Sequence, residues 1–103
     1  MNMLRSLFGL GPTVDIAELL EQGATIVDVR SKGEYAGGHA NGSINIPLDT
    51  VLKSLNKIPK GKPVITCCAS GMRSGAAADQ LKSHGYEAYN GGPWTQVQAA
   101  LVK

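Results

Sequence analysis

The chain has 103 residues, of which 43% are hydrophobic and 17% are charged, and its net charge is +2 at neutral pH. This length suits one domain, and this composition is typical of a globular protein rather than a disordered one. The Lys and Arg residues are scattered along the chain, which argues against nucleic acid or an anionic membrane as a partner. No segment reaches the roughly 18 consecutive apolar residues that cross a bilayer.

The N-terminal segment, residues 1–12, is predicted to be an extension that precedes a domain at residues 13–103. Its apolar residues are too few and too interrupted, by Arg5 among others, for the hydrophobic region of a secretory signal. No small-residue cleavage site follows them. We therefore expect a cytoplasmic protein.

The first half of the chain predicts a helix, a strand, a helical turn or two and a second strand. The first helix is amphipathic, is capped by Thr13 or Asp15 and ends at Gly23. The strand after it, Ala24–Val29, is rich in β-branched residues and lacks polar alternation, which is typical of burial on both faces. The helical turns and the second strand are predicted at Lys32–His39 and Ser43–Ile46.

The second half continues the alternation. Asp49 or Thr50 is expected to cap a helix that ends in the Pro59–Pro63 segment, because proline and glycine there favour a turn. A buried strand follows at Val64–Cys68. The remaining predictions are a helix from Ser74 to about His84, a strand at Tyr86–Tyr89, a turn at Gly91–Pro93 and a closing helix at Trp94–Val102.

Strands that alternate with helices through short connections predict an α/β fold: a mostly parallel sheet with helices on both faces. In such sheets ligands bind beyond the carboxyl ends of the strands. The loop that starts at Cys68 lies at such an end. The sequence therefore predicts a functional site in that loop.

The chain has two cysteines, Cys67 and Cys68, which are adjacent. Neighbouring cysteines bridge only through a strained ring, so both are expected to be free thiols in a reducing compartment. His39 and His84 stand alone and lack the spacing of paired metal ligands. We expect neither a metal nor another cofactor.

The loop after Cys68 has the features of an anion site. Its backbone N–H groups and the start of the next helix present positive partial charge, which favours a thiolate at Cys68. The planar guanidinium of Arg73 suits an oxyanion, Gly71 lets the backbone curl, and Ser74 is expected to cap the helix. Cys67 lies within the apolar strand and is expected to be a core residue, with a resolving role as the alternative. The predicted site comprises Cys68 as the nucleophile with Ala69, Ser70, Gly71, Met72 and Arg73 around the substrate.

The segment at 68–74, CASGMRS, resembles the active-site loop C-x-x-G-x-R-S of the rhodanese-like domain family. Upstream, DVR at 28–30, EY at 34–35, GH at 38–39 and GSINIP at 42–47 resemble the family's other motifs in the same order. Downstream, GY at 85–86 and NGG at 90–92, followed by Trp94, are similar to its closing strand and turn. The resemblance runs from about Val14 to the C-terminus.

This resemblance implies a single-domain sulfurtransferase of the rhodanese-like three-layer fold. Cys68 would take a sulfane sulfur from a donor such as thiosulfate or a persulfide, hold it as a persulfide and pass it to cyanide or a thiol. A protein partner in sulfur relay is an alternative acceptor or donor, since Ala, Ser and Met at positions 69, 70 and 72 leave the loop without further basic side chains. Asp28, Arg30 and His39 would be structural. Trp94 would either line the pocket rim or anchor the last helix.

Two other functions compete with this interpretation. Cysteine-dependent phosphatases and arsenate reductases place five residues between Cys and Arg, an interval that Cys67 and Arg73 match and Cys68 does not. Counted from Cys67, however, Gly71 falls one place too late, no His directly precedes the cysteine, and no obvious general-acid Asp follows in a loop. The second competitor is a non-catalytic sulfur carrier or partner-binding module, against which the retention of Cys68 with Arg73 argues.

Overall fold

The computed structural model describes residues 15–102. It confirms the α/β fold, because four parallel strands form one sheet in the order β2-β1-β3-β4. The strands are β1 at Thr25–Asp28, β2 at Ile44–Asn45, β3 at Val64–Cys68 and β4 at Ala88–Pro93.

Four α-helices and two short 3-10 helices connect the strands. The α-helices are α1 at Ile16–Glu21, α2 at Lys32–Ala36, α3 at Met72–Ser83 and α4 at Trp94–Leu101, and the 3-10 helices span Leu48–Lys53 and Leu55–Lys57. Asp15 caps α1, since its side chain accepts a hydrogen bond of 3.1 Å from the backbone N of Glu18. Thr13, the alternative cap, and the predicted extension at residues 1–12 lie outside the described residues. Within residues 15–102 no helix is long and apolar enough to span a bilayer.

The sheet is buried on both faces, as its apolar strands predict. One face packs against α3 and the first 3-10 helix, and the other packs against α1 and α4. Because alternate residues of a strand point to opposite faces, Cys68 joins the first of these cores and Cys67 the second. The two adjacent thiols therefore have different surroundings.

The strand register brings the predicted site to one edge of the sheet. Asp28, the last residue of β1, pairs with Asn45 of β2 and with Cys67 of β3. The loops that leave these strands thus emerge side by side at the carboxyl edge. This is the edge at which parallel sheets bind ligands.

The helix predicted to have Asp49 or Thr50 as its N-cap differs from the prediction in helix type and in its N-cap residue. The chain forms a 3-10 helix that begins at Leu48, and no side chain caps it. Pro47 occupies the N-cap position with φ −52°, and the Thr50 hydroxyl donates a hydrogen bond of 2.9 Å back to the Pro47 carbonyl oxygen. The capping prediction was wrong because proline, with its fixed φ, already directs the chain into the helical turn.

The helix after the cysteine loop begins two residues earlier than predicted. Gly71, not Ser74, is the N-cap of α3, with φ +106° and no side-chain capping bond. A glycine adopts this left-handed conformation without steric cost, so the chain enters the helix at once. The Ser74 side chain is buried inside the first turn instead.

The last strand starts later and runs further than predicted. The sequence indicates a strand at Tyr86–Tyr89 and a turn at Gly91–Pro93, whereas β4 spans Ala88–Pro93. Gly91 fits in the strand because β3 lies very close: a Cβ atom there would stand 2.6 Å from Cγ2 of Ile65. The glycine serves close packing rather than a turn.

Candidate active site

The sulfur of Cys68 lies at the centre of a set of hydrogen-bond donors. The backbone N of Gly71 donates to Sγ at 3.0 Å and that of Ser74 at 3.4 Å. The Ser74 Oγ lies 3.3 Å from the same sulfur. This loop geometry agrees with the inward-facing N–H groups that the sequence predicts, and it suits an anionic sulfur.

Burial does not distinguish the two cysteines, since both have 0% exposed surface. Burial opposes ionisation of Cys68, but hydrogen bonds from the Ser74 hydroxyl and from the backbone N–H groups of Ser74, Gly71 and Ser70 outweigh it and lower the pKa of Cys68 to about 7. For Cys67 burial dominates and, with Asp28 nearby, raises the pKa to about 12. At neutral pH only Cys68 has substantial thiolate character.

The remaining loop residues surround the sulfur unequally. Ala69 and Ser70 are exposed, Gly71 is half-buried, and Met72 is 82% exposed with its side chain at the protein surface. The loop therefore contributes backbone donors on its inner side and small or apolar side chains on its outer side. None of the described side chains of residues 69–72 brings a charge to the sulfur.

The guanidinium of Arg73 is already paired with a carboxylate. Its Nη1 and Nη2 donate to Oε1 and Oε2 of Glu34, at 2.7 and 3.0 Å. The Arg73 hydrogen bond is the main reason that the pKa of Glu34 falls to about 2, and the backbone N of Ser31 adds to the effect. The Arg73 guanidinium, which the sequence assigns to an oxyanion, thus binds the Glu34 carboxylate in this structure.

Asp28 and Arg30 form a buried pair at the end of β1. Arg30 Nη2 donates to Asp28 Oδ2 at 2.7 Å, and the same nitrogen donates to the Gly38 carbonyl oxygen at 2.6 Å. Arg30 Nη1 reaches the Glu34 carbonyl oxygen at 3.3 Å. This geometry fits the predicted structural role, because the pair ties the strand to the loop around α2.

His39 and Trp94 also make contacts of a structural kind. The His39 ring stacks on Tyr35 with 3.7 Å between the ring centroids, and its Nδ1 lies 2.8 Å from the Tyr35 carbonyl oxygen. Trp94 packs against the core formed with α1 and α4, and the guanidinium of Arg30 lies 5.0 Å from its ring centroid. Of the two roles predicted for Trp94, these contacts favour the helix anchor.

Ser74 and Asn90 link the cysteine loop to β4. The Ser74 Oγ donates to Asn90 Oδ1 at 2.6 Å, and Asn90 Nδ2 donates to the Gly71 carbonyl oxygen at 2.9 Å. The backbone N of Gly92 also donates to Asn90 Oδ1, at 2.9 Å. One side chain of the last strand therefore contacts both ends of the turn that surrounds Sγ.

An open groove of about 390 Å³ lies beside Arg73, and none of residues 68–72 lines it. Apolar surface dominates it, and Arg73 forms part of its wall. Its lining residues come from the loops after β1 and β2 and from α3: Val29, Ser31, Pro47, Leu48, Asp49, Arg73 and Gln80. The groove has room for a group larger than an inorganic anion.

Two residues of this site were missed as site residues from sequence, although both lie in the motifs quoted above. Glu34 pairs with Arg73, and Asn90 contacts Gly71 and Ser74. The spacing of Ser31 and Glu34 is that of a capping box, which the structure shows, and this signal marks the start of α2 but not the contact with Arg73. In residues 15–102 no group of three or more His, Cys, Asp or Glu side chains is placed to hold a metal.

The fold and the site together define a class of protein. It is a parallel α/β domain in which a cysteine at the end of a central strand is surrounded by the N–H groups of a short loop that opens a helix. A family model for the rhodanese-like domain matches residues 13–95, and the chain belongs to this family.

Individual relatives agree with this assignment. YqhL of Bacillus subtilis, named as uncharacterized, is 43% identical over 65% of this chain and 54% of its own length. The thiosulfate sulfurtransferase GlpE of Pseudomonas fluorescens is 35% identical over 66% of this chain and 62% of its own. The chain thus spans less than two thirds of either relative. Further relatives are named tRNA sulfurtransferase and putative sulfur carrier protein.

A solved structure supports the same fold. The rhodanese-like domain protein from Staphylococcus aureus superimposes with a TM-score of 0.69 at 30% identity, over 81% of this chain and 86% of that one. The family, the fold and relatives named for sulfur transfer are therefore consistent with one another.

Proposed function

We propose that this protein is a sulfurtransferase that carries a sulfane sulfur as a persulfide on Cys68. The observation that supports this most directly is the convergence of the Gly71 and Ser74 N–H groups on Sγ, with the Ser74 hydroxyl oxygen 3.3 Å from the same sulfur. A thiolate and a persulfide are both anionic sulfur species, so donors that stabilise the first also suit the second. We propose Ala69, Ser70, Gly71, Met72 and Arg73 as the residues around the substrate.

The transfer takes place in two displacements at sulfur. The Cys68 thiolate attacks the outer sulfur of the donor, a new S–S bond forms, and the donor's own bond to that sulfur breaks. Its electron pair leaves with the rest of the donor, as sulfite if the donor is thiosulfate. An acceptor thiolate or cyanide then attacks the outer sulfur of the persulfide, and Cys68 leaves as a thiolate. No external oxidant or reductant is required.

The donor that we favour is an organic or protein-borne persulfide. Thiosulfate carries two negative charges against one for a persulfide, and therefore depends more on free positive charge, but Arg73 is paired with Glu34, and Asp49 also lines the groove beside Arg73. The apolar part of the groove suits a thiol-bearing organic group. One relative is named as a thiosulfate sulfurtransferase and another as a putative sulfur carrier protein. The experiment below therefore uses donors of both classes.

Access to the sulfur is part of this proposal. Because Cys68 has no exposed surface, we propose that the loop after it moves to admit a donor to Sγ. A cytoplasmic location and an extension at residues 1–12 stay predictions of the sequence.

The test uses the mass of the intact protein after exposure to thiosulfate and, separately, to a low-molecular-weight persulfide. We expect the wild type to gain the mass of one sulfur atom and to lose it on addition of a thiol or cyanide. Cys68→Ser should gain nothing, because the remaining thiol, Cys67, is buried and protonated at neutral pH. Cys67→Ser is the matched control and should be loaded like the wild type, since the pKa of Cys67 is about 12.

Each other outcome has a definite meaning. Loading of Cys68→Ser, or the loss of loading in a folded Cys67→Ser, would contradict our choice of cysteine. Loading without turnover for any small acceptor would favour the carrier function. Hydrolysis of an aryl phosphate that depends on Cys67 would favour a phosphatase, although Cys67 faces the other side of the sheet from Cys68.

A further inference from the structure

Asn90 is an exposed residue of β4 that lies outside the segment at 68–74 and yet contacts it twice. Its Nδ2 donates to the Gly71 carbonyl oxygen at 2.9 Å, and its Oδ1 accepts from the Ser74 hydroxyl at 2.6 Å. Gly71 and Ser74 are the residues whose N–H groups donate to the Cys68 sulfur. Both ends of the Asn90 amide are therefore hydrogen-bonded within the protein although the residue is exposed.

The contact with Gly71 bears on the direction of its N–H group. Gly71 donates to Sγ through its nitrogen at 3.0 Å and accepts from Asn90 through its carbonyl oxygen. As a glycine with φ +106°, Gly71 has more conformational freedom than other residues, and two hydrogen bonds hold its carbonyl oxygen: one of 2.9 Å from Asn90 Nδ2 and one of 3.0 Å from the backbone N of Gly75 in α3. Asn90 supplies the bond that comes from outside the loop and its helix.

The packing around Asn90 is close enough to restrict movement. A Cβ atom at Gly75 would lie 3.2 Å from Asn90 Nδ2, and one at Gly71 would lie 3.4 Å from the Gly92 Cα. The first turn of α3 therefore approaches β4 closely, and a side chain at Gly75 would press on the Asn90 amide. The loop and the strand form one unit around this side chain.

Asn90 also has a second effect, through the Ser74 hydroxyl, which opposes stabilisation of the Cys68 thiolate. It has one proton, which it donates either to Asn90 Oδ1 or to the Cys68 sulfur. The thiol form of Cys68 can donate its own proton to Ser74 Oγ, whereas the thiolate needs the proton of Ser74. Asn90 thus competes for one donor while it orients another.

We propose that Asn90 is a positioning residue that holds Gly71 with its N–H group directed at the Cys68 sulfur, and that this effect exceeds its competition for the Ser74 proton. The inference rests on the proposed role of Cys68 as the sulfur-carrying nucleophile. It concerns the orientation of the donors, so it is measurable without any sulfur transfer.

The test is a pH titration of the Cys68 thiolate by its ultraviolet absorbance, with the spectrum of Cys68→Ser subtracted. In Asn90→Ala we expect the pKa of Cys68 to rise by about 0.5 to 1 unit, because a hydrogen bond to an ionised group is weakened. The rate of persulfide formation at pH 7 should fall about two- to fivefold. Asn41→Ala is the control, since Asn41 is also exposed and its side chain makes no hydrogen bond in the described part of the chain.

The charged groups that face Cys68 stay in place in this comparison. Arg73 of α3, with its partner Glu34 of α2, acts on Cys68, whereas the buried pair of Asp28 and Arg30 acts on Cys67. Cys67 ionises only near pH 12 and does not overlap with the titration. A shift in Asn90→Ala is therefore attributable to the hydrogen bonds of the loop.

Two further variants make the outcome decisive. In a Ser74→Ala background the competition for the hydroxyl proton is absent, and Asn90→Ala should still raise the pKa of Cys68. Asn90→Thr is the second substitution, because threonine favours strands and is too short to reach the Gly71 carbonyl oxygen. An unchanged or lowered pKa in folded Asn90 variants would overturn the inference. A raised pKa in a protein that no sulfane donor loads would overturn the proposed function alone.

Discussion

Cys67 and Cys68 are the same residue type at adjacent positions with equal burial, and yet their pKa values lie on opposite sides of the ordinary thiol value. The strand pleat causes this difference. It directs Cys67 into an apolar core beside Asp28 and directs Cys68 towards the N–H groups of the loop. The difference in pKa between the two thiols is therefore set by hydrogen bonds to the sulfur rather than by exposure.

A second consequence at the residue scale concerns Arg73. In Glu34→Gln the carboxylate that binds the guanidinium is replaced by a neutral amide, so the positive charge of Arg73 becomes available to an anion. We expect KM for thiosulfate to fall about threefold, an effect of the size usual for a single exposed charge. KM for an organic persulfide, whose sulfur carries one negative charge against the two of thiosulfate, should fall less. Steady-state kinetics with both donors measure the difference.

The glutamine keeps the start of α2 intact. In the capping box Glu34 accepts from the backbone N of Ser31, and a glutamine oxygen can accept the same bond. Glu34→Ala is the comparison variant, because it frees Arg73 and also removes the cap. Equal changes in KM for both donors in Glu34→Gln would show that Arg73 does not discriminate between donors by charge.

At the scale of elements, the sequence predicts the central parts better than the connections. The strand Val64–Cys68 has the predicted bounds, and the helix from Trp94 ends one residue early, at Leu101. Both have a clear pattern of apolar residues, which is the strongest local signal. The segments around Pro47, Gly71 and Gly91 were misassigned because each contains proline or glycine. Such residues are common to turns, 3-10 helices and close contacts, and only the tertiary neighbours decide among them.

The contact between β4 and β3 makes Gly91 the most restrictive of the described glycines. A Cβ atom there would lie 2.6 Å from Ile65 Cγ2, 2.8 Å from the Thr66 carbonyl oxygen and 3.0 Å from Val97 Cγ2. Gly91→Ala should therefore separate β4 from β3 and destabilise the fold by roughly 2 to 3 kcal/mol. Denaturant unfolding of wild type and variant measures this loss.

Gly33→Ala provides the matched control on a helix. A Cβ atom at Gly33 meets no other atom within 4 Å, and alanine favours the helical conformation of α2. This substitution should be neutral or stabilise by about 0.5 kcal/mol. If Gly91→Ala lowered the free energy of unfolding no more than Gly33→Ala does, the close packing of β4 on β3 would be contradicted.

At the scale of the whole molecule, the site assembles from distant parts of the sequence. Glu34 reaches Arg73 across 39 positions, and Asn90 reaches Gly71 across 19. The local sequence of the loop predicts the nucleophile and its N–H donors, because a strand that turns into a helix has defined chemistry. It does not predict the partners of Arg73 and Ser74, because those depend on strand order and register. The candidate site was thus predictable in its loop and not in the residues that hold the loop.

The two thiols should also impose a pH dependence on the stability of the whole domain. An unperturbed thiol titrates at 9.0, whereas Cys68 in the fold titrates at about 7 and Cys67 at about 12. Between pH 7 and 9 the unfolded chain binds a proton at Cys68 that the folded chain has lost, so the free energy of unfolding rises with pH. Above pH 9 the folded chain keeps a proton at Cys67 that the unfolded chain has lost, and the free energy of unfolding falls.

The rise and the fall of the free energy of unfolding with pH are each tested by replacing the cysteine that causes it. In Cys68→Ser the rise between pH 7 and 9, about 1 to 2 kcal/mol in the wild type, should disappear. In Cys67→Ala the fall above pH 9 should become shallower, because lysine and tyrosine titrations remain. Denaturant unfolding at closely spaced pH values gives both differences. A rise that persists in Cys68→Ser would mean that the loop does not stabilise the thiolate, and the chemical basis for persulfide formation at Cys68 would be lost with it.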